Sequence, residues 1–313
     1  MKAYLGIDTS NYTTSCALYL PETNEFIQKK KLLPVKSGAI GIRQSDAVFH
    51  HTVQLPDLLD ELMNDAPDVH IEAIGVSDAP RRQKGSYMPC FLAGLNSARS
   101  ISAVSGKTLY RFSHQQGHIA AAVYSCGETE LIKNDFLAFH VSGGTTDALL
   151  ISPDSDDIIN ARLTASSLDL KAGQAVDRVG VMLGFDFPAG KYVDSLAVKS
   201  DKKYKILVAL KDGNCCLSGV ENKCRKMFDS GETKEDISCY CLSYIMSALI
   251  GMADYQLARH GNMPILFSGG VMSSAFLKAG LSKRFGAFFA EPEFSCDNAA
   301  GVAYLAYLKD RLK

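Results

Sequence analysis

The chain reads as an α/β protein of two lobes, each opened by a β-hairpin, and three observations predict this. Segment 3–20, AYLGIDTSNYTTSCALYL, sets two apolar stretches around a polar centre of Thr, Ser and Asn, the pattern of a hairpin whose turn carries hydroxyls. Segment 136–151, FLAFHVSGGTTDALLI, repeats that plan, a duplication of pattern rather than of identity. Beyond each hairpin, apolar runs alternate with helical periodicity, and 313 residues exceed what one minimal core needs. The expected division is 1–112 for the N-terminal lobe and 113–313 for the C-terminal lobe, with the terminal helix able to pack back on the first.

The other elements follow from spacing. Val53, Leu55, Leu58, Leu59 and Leu62 give a helical stripe over 47–64. A second helix is expected over 90–105, then a short strand over 109–112 leading into SHQQGHIAAAVYS. The second half predicts helices over 239–259 and 273–283, separated by a strand over 264–267. The closing run NAAGVAYLAYLKDRLK reads as a helix whose cations lie near its C-terminus, where the helix dipole favours them.

Hydrophobic residues make up 47% and charged residues 21%, as expected of a globular protein without low-complexity tracts. The formal net charge of -1 excludes a global basic field, so a nucleic-acid partner would be met by a local patch or a helper protein. Nine cysteines are irregularly spaced, with Cys215 beside Cys216 and a C-x-C at Cys239 and Cys241; an odd count without a scaffold pattern predicts reduced thiols and a cytoplasmic location. The opening MKAYLGIDTS runs into a strand rather than a signal peptide, and no membrane span is expected.

His114 and His118, in H-Q-Q-G-H, are four apart, so on a helix they project to one face and can grip one ion. Two ligands do not make a site. His140, ending the strand FLAFH, and Asp297, in SCDNAAG, are the further candidates. Imidazoles with one carboxylate suit zinc or iron. His50, His51, His70 and His260 have no such company and are expected to be structural or exposed.

Ser142, Gly143, Gly144, Thr145 and Thr146 lie between two apolar strands, where small residues let backbone N–H groups and hydroxyls approach phosphate oxygens. Asp8, Thr9 and Ser10 hold the same place in the first hairpin. Gly269 and Gly270 form a second glycine turn, between a strand and a helix, where N–H groups bind anions or a nucleotide. Between the two turns, Asp177 and Asp194, with Gly190, offer carboxylates to ribose hydroxyls.

These motifs resemble, in order and across nearly the whole chain, the tRNA threonylcarbamoyladenosine synthases, formerly called O-sialoglycoprotein endopeptidases (the glycoprotease family). LGIDTSNYTTSCAL resembles the family's opening hairpin, SHQQGHIAAA its H-x-E-G-H metal helix, HVSGGTTDALL its nucleotide loop and AGQAVDRVGVMLGFDFPAGKYVDSLA its ribose-binding insert. CLSGVENKC is similar to its F-S-G-L-K-T stretch, SGGVMSSAFL to its G-G-V-x-A-N helix entry and FSCDNAAGVAYLA to its T-D-N-A-A terminal helix.

The resemblance implies an actin/sugar-kinase-like (ASKHA) fold and metal ligation by His114, His118 and Asp297, with His140 where some relatives carry a Tyr ligand. It implies contact of Ser142 to Thr146 with phosphate or threonylcarbamoyl, a ribose and adenine side at Asp177, Gly190 and Asp194, and Ser274 in place of an Asn at the adenine end. The implied ligand is an adenine nucleotide or threonylcarbamoyl-adenylate. The implied reaction transfers threonylcarbamoyl to the adenine beside a tRNA anticodon, within a complex of homologous or accessory subunits. Protease activity is not expected, since no positioned nucleophile with a base appears.

The departures are local. Asn11, Tyr12 and Thr13 stand where the family has acidic residues, and APRRQKGSYMP, residues 79–89, replaces a Gly-Pro-Gly loop. Arg81, Arg82 and Lys84 in that loop are the candidate tRNA contacts. The departures keep two alternatives open, a carbamoyltransferase acting on a small molecule and a non-catalytic regulatory paralogue.

Overall fold

The computed structural model describes residues 1–10, 12–34, 42–295 and 299–313. The chain divides into two compact units, one of residues 1–132, 153–161 and 296–313, the other of 133–152 and 162–295. The division falls after residue 132, where the sequence reading put it after 112. Helix α3 (His114–Ser125) packs on α9 (Ala300–Asp310), and both are in unit 1.

Unit 1 is built on β1 (Lys2–Asp8), β2 (Thr13–Leu20), β3 (Glu25–Leu32), β4 (His70–Ala79) and β5 (Thr108–Ser113), in the order β3-β2-β1-β4-β5. The opening hairpin pairs β1 antiparallel with β2, and β1 runs parallel to β4. Beyond Lys2 every residue of β1 is buried, because helices cover both faces of the sheet. Leu5 and Ile7 face a core shared with Leu55, Leu58 and Leu62 of α1 (Gln44–Asn64) and Ala98 of α2 (Phe91–Ser105). Of the stripe read from sequence, Leu55, Leu58 and Leu62 are buried and Leu59 packs partly against the same core, whereas Val53 is 54% exposed.

Strand alternation turns Tyr4 and Gly6 to the opposite face, where α9 lies. There the Tyr4 hydroxyl donates to Asp310 Oδ2 at 3.3 Å, and the rings of Tyr4 and Tyr307 meet edge to face at 5.3 Å. A Cβ on Gly6 would strike the carbonyl of Ala299 and come within 2.9 Å of the Ala303 methyl. One on Gly75 would strike the Val302 carbonyl, and one on Gly301 the Gly117 carbonyl in α3. The missing side chains let the backbone of α9 rest directly on β1, β4 and α3.

Unit 2 repeats the plan. Strands β6 (Phe136–Val141), β7 (Thr146–Asp154), β8 (Ile158–Ser166), β9 (Ile265–Ser268) and β10 (Phe288–Phe289) follow the order β8-β7-β6-β9-β10, with β6 antiparallel to β7 and parallel to β9. Strand for strand this is the order of the first sheet. Helices α4 (Ala172–Met182), α5 (Gly190–Ala197) and α6 (Ser218–Asp229) lie in stretches that sequence reading treated as motifs, not as helices.

Helix α7 (Lys234–His260) begins five residues before its expected start, where Thr233 accepts from the Asp236 N–H at 3.2 Å. It is long and apolar enough to cross a membrane by length and composition, contrary to the sequence expectation, and 61% of its most apolar stretch is buried. Ile245, Leu249 and Met252 place it in the core of unit 2. Helix α8 (Ala275–Phe285) follows β9. The eight cysteines among the described residues are free thiols.

Replacing Gly301 with Val should force α9 away from α3 and lower stability by about 1–3 kcal/mol or more, as overpacking does. Urea unfolding checks this, and an unchanged midpoint would show that α9 can shift at no cost.

Candidate functional site

The two histidines of the H-Q-Q-G-H motif meet as their spacing requires. Ser113 caps α3, accepting from the Gln116 N–H at 3.3 Å while Gln116 Oε1 accepts from the Ser113 N–H at 2.7 Å, so the first turn is held in register. His114 and His118 then project together, with their Nε2 atoms 2.9 Å apart. His114 Nδ1 lies 2.7 Å from Asp8 Oδ2 at the end of β1. With Nδ1 donating to that carboxylate, the lone pair of His114 sits on Nε2, turned toward His118.

A carboxylate behind an imidazole is the usual outer support of a metal-binding histidine. Burial alone would push the Asp8 carboxyl up, but the positive charge that His114 carries when protonated, and the hydrogen bonds from His114 and Ser10, hold it below the usual carboxylate range. The donor chemistry therefore suits a divalent ion. No cluster of three or more such ligands occurs among the described residues, and Asp297, the candidate that would complete one, lies outside them.

The side chains of Asp8 and Thr9, in the first hairpin turn, have partners within unit 1. Asp8 was grouped with phosphate contacts, yet its carboxylate is taken by His114 and, at 2.7 Å, by the Ser10 N–H. Thr9 Oγ1 donates to the Cys90 carbonyl and accepts from the Gly94 N–H, both at 3.0 Å, which ties β1 to the start of α2. Of the three side chains of this turn, Ser10 Oγ, fully buried, has no hydrogen-bond partner among the described residues. These three residues belong to unit 1. The glycine turns belong to unit 2, as does His140, whose Nδ1 lies 3.3 Å from Ser268 Oγ.

In unit 2, Gly143, Gly190, Gly270 and Ser274 line one cavity of about 500 Å³ with Asp177, Asp194, Val176, Leu242 and Val271. That volume is ordinary for a small-ligand site. The turn at 142–146 is fixed by α4: the Ala172 N–H donates to Thr146 Oγ1 at 2.9 Å and the Gly173 N–H to the Ser142 carbonyl at 3.1 Å. Ser142 Oγ accepts from the Thr145 N–H at 3.1 Å and closes the turn. A Cβ on Gly173 would lie 2.6 Å from the Gly143 nitrogen, whereas one on Gly143, Gly144 or Gly270 would meet open space. Gly269, with φ of 96°, packs on Val141 and sets the second turn. Lys191, which the sequence reading did not single out, is a cationic member of the wall; its only prior signal was its place after Gly190.

The carboxylates of the cavity differ. Asp177 accepts once, from the Ala189 N–H at 2.8 Å. Asp194 is fully engaged, accepting from Ser274 Oγ at 2.5 Å and from the N–H groups of Ala275 and Phe276 at 3.0 and 3.2 Å. It caps α8 and holds Ser274 while lining the cavity. Asp169 does the same for α6, accepting from the N–H groups of Leu217 and Ser218 at 2.7 and 3.2 Å, and this anchors the approach to α4. Partial burial pushes the Asp169 carboxyl up, and these bonds with the Ser218 hydroxyl outweigh it and hold it low.

Compared with known proteins, residues 24–304 match the family tRNA N6-adenosine threonylcarbamoyltransferase, TsaD. This chain belongs to the TsaD family. The chain is 29% identical over 331 residues to the tRNA N6-adenosine threonylcarbamoyltransferase of Brachyspira hyodysenteriae, covering 98% of this chain and 92% of that protein. It is 25% identical to the probable bifunctional tRNA threonylcarbamoyladenosine biosynthesis protein of Thermoplasma acidophilum, of which it spans only 55%. Among solved structures, component A of the Acidaminococcus fermentans (R)-2-hydroxyglutaryl-CoA dehydratase superposes with a TM-score of 0.56 at 16% identity, covering 99% of this chain and 100% of that one. The chain thus has the actin/sugar-kinase-like fold within a transferase family.

The basic loop of this TsaD-family member is partly spent on itself. Arg82 Nη1 donates to Asp78 Oδ1 at 2.7 Å, its Nε to Asp157 Oδ2 at 3.1 Å and its Nη2 to the Arg111 carbonyl at 2.7 Å. Arg82 thus has structural partners at all three guanidinium nitrogens. The Arg81 N–H donates to Ser86 Oγ at 3.1 Å, and Lys84 is exposed.

Two outcomes follow from this geometry. Asp8→Asn, which weakens the support of His114, should lower the affinity for zinc or iron by about 10- to 100-fold, measured by calorimetry on the full chain. Asp169→Asn should destabilise the chain at neutral pH. Because the folded carboxyl is held low, the stability advantage of the native chain is present above the ordinary pKa of 3.8 and should vanish as pH falls through the folded value, which unfolding curves across pH will read.

Proposed function

We propose that the chain transfers a threonylcarbamoyl group from its adenylate to the exocyclic amine of the adenine beside a tRNA anticodon. In this reaction the amine nitrogen bonds to the carbamoyl carbon, the bond from that carbon to the adenylate phosphate oxygen breaks, and AMP leaves as the amine gives up a proton. The observation that carries the reading is the cavity of unit 2, whose Gly143 and Gly270 walls are open to close approach of a ligand.

The chain's own residues divide the work. Backbone N–H groups of the 142–146 turn would meet the phosphate or the acyl oxygen, with Lys191 supplying positive charge. Asp177 keeps one carboxylate oxygen with no protein donor among the described residues, and that oxygen would accept from a ribose hydroxyl. Val176, Leu242 and Val271 would pack on the base. His114 and His118, with Asp297, would hold zinc or iron, which when bound supplies positive charge to a ligand oxygen. Asp8 would keep His114 in the tautomer whose Nε2 is the unprotonated nitrogen.

The decisive experiment incubates the chain, alone and with accessory subunits of the tRNA-modification system, with threonylcarbamoyl-adenylate and unmodified tRNA, followed by nucleoside mass spectrometry. A threonylcarbamoyladenosine mass is expected, and its absence under every combination would overturn the reading. Gly143→Val should weaken adenine-nucleotide binding by about tenfold or more by closing the phosphate approach. Lys84→Gln should flatten the salt dependence of tRNA binding by about one unit of slope. Arg82→Gln should lower stability instead and leave that slope nearly intact.

A further inference from the structure

Residues 203–210 form an extended segment that no sheet includes. It lies along α7: the Cys239 thiol donates to the Lys202 carbonyl at 3.4 Å, the rings of Tyr204 and Tyr240 meet at 5.1 Å, and Leu210 sits beside Gly251. Burial alternates without exception. Tyr204, Ile206, Val208 and Leu210 are half-buried, while Lys203, Lys205, Leu207 and Ala209 are exposed, and Leu207 has no cover at all at 101%. That is the period of a β-strand with one packed face.

The backbone of this strand is unused. Among the described residues, no backbone hydrogen bond to another backbone group is made anywhere from 203 to 210, although the flanking Ser200 and Lys211 both make them. An extended segment fixed on a helix with a free row of N–H and C=O groups is a ready template for another strand.

Charge selects the occupant. Lys202 is neutralised by Glu232 at 3.2 Å and Asp236 at 3.0 Å, but Lys199, Lys203, Lys205 and Lys211 have no ion-pair partner among the described residues. Four unpaired cations repel a second copy of the same strand and attract an acidic one. We propose that residues 203–210 are a docking strand, completed by β-strand addition of an acidic, extended segment of a partner protein.

The test uses the full chain and a blocked nine-residue peptide of alternating glutamate and valine, with hydrogen exchange as the readout. The peptide should slow exchange of amides within 203–210, and the double variant Lys203→Glu with Lys205→Glu should lose that protection while gaining it with a lysine–valine peptide. Successive N–H groups of a strand point to opposite edges, so of Leu207→Pro and Val208→Pro one should abolish protection and the other retain it. Unchanged exchange in the native chain with the peptide at saturation, or equal binding by the charge-reversed variant, overturns the proposal. Protection that rises with the concentration of the chain alone, together with a doubled mass in solution, would assign the strand to a second copy instead.

Discussion

The structure of unit 1 depends on how closely one helix backbone can approach a sheet. Gly6 in β1, Gly75 in β4 and the pair Gly117 and Gly301 leave no side chain between α9 and what it rests on. Dispersion falls off steeply with separation, so contact of this kind gains packing that any added methyl would forfeit. The consequence for function is positional. Helix α3 is pressed on α9 at Gly117, the third residue after His114 and the one before His118, so the same contact that packs the core aims the two imidazoles. Asp8 ends β1 two residues after Gly6 and meets His114 from the sheet side.

Unit 2 uses the same strand order and spends its glycines differently. Gly173 and Gly269 are sites of close backbone approach, on Gly143 and Val141, and they hold two turns in place. The glycines within those turns, Gly143, Gly144 and Gly270, face open space. A duplicated scaffold thus has one copy whose small residues serve packing and another whose small residues border a cavity.

Carboxylates show the same economy. Asp8 supports an imidazole, Asp78 joins Arg82 and Arg111, and Asp169 and Asp194 satisfy the orphan N–H groups of α6 and α8. In the cavity wall, Asp194 has its oxygens turned to the start of α8, while Lys191 adds a cation. Lys199, Lys203, Lys205 and Lys211 are the converse case, cations with no ion-pair partner among the described residues, beside an extended segment without a ladder.

The sequence by itself determined the class of fold, both hairpins, and the pairing of His114 with His118, because each rests on local periodicity: two for strands, four for one face of a helix. It also marked Gly143 and Gly270 as bordering a turn, since glycine between apolar strands is a local signal. Only the tertiary structure decided which polar groups were already engaged. Asp8, Thr9, Arg82 and Asp194 are each tied to partners at least 75 residues away in the chain, at His114, Cys90, Asp157 and Ser274, and no window of sequence carries such a distance. Helices α4 to α6 carry stripes of their own, as at Ala172, Ala175, Val176 and Val179 or Val220, Cys224 and Met227, but they are short, and sequence reading takes their stretches as motifs rather than for periodicity.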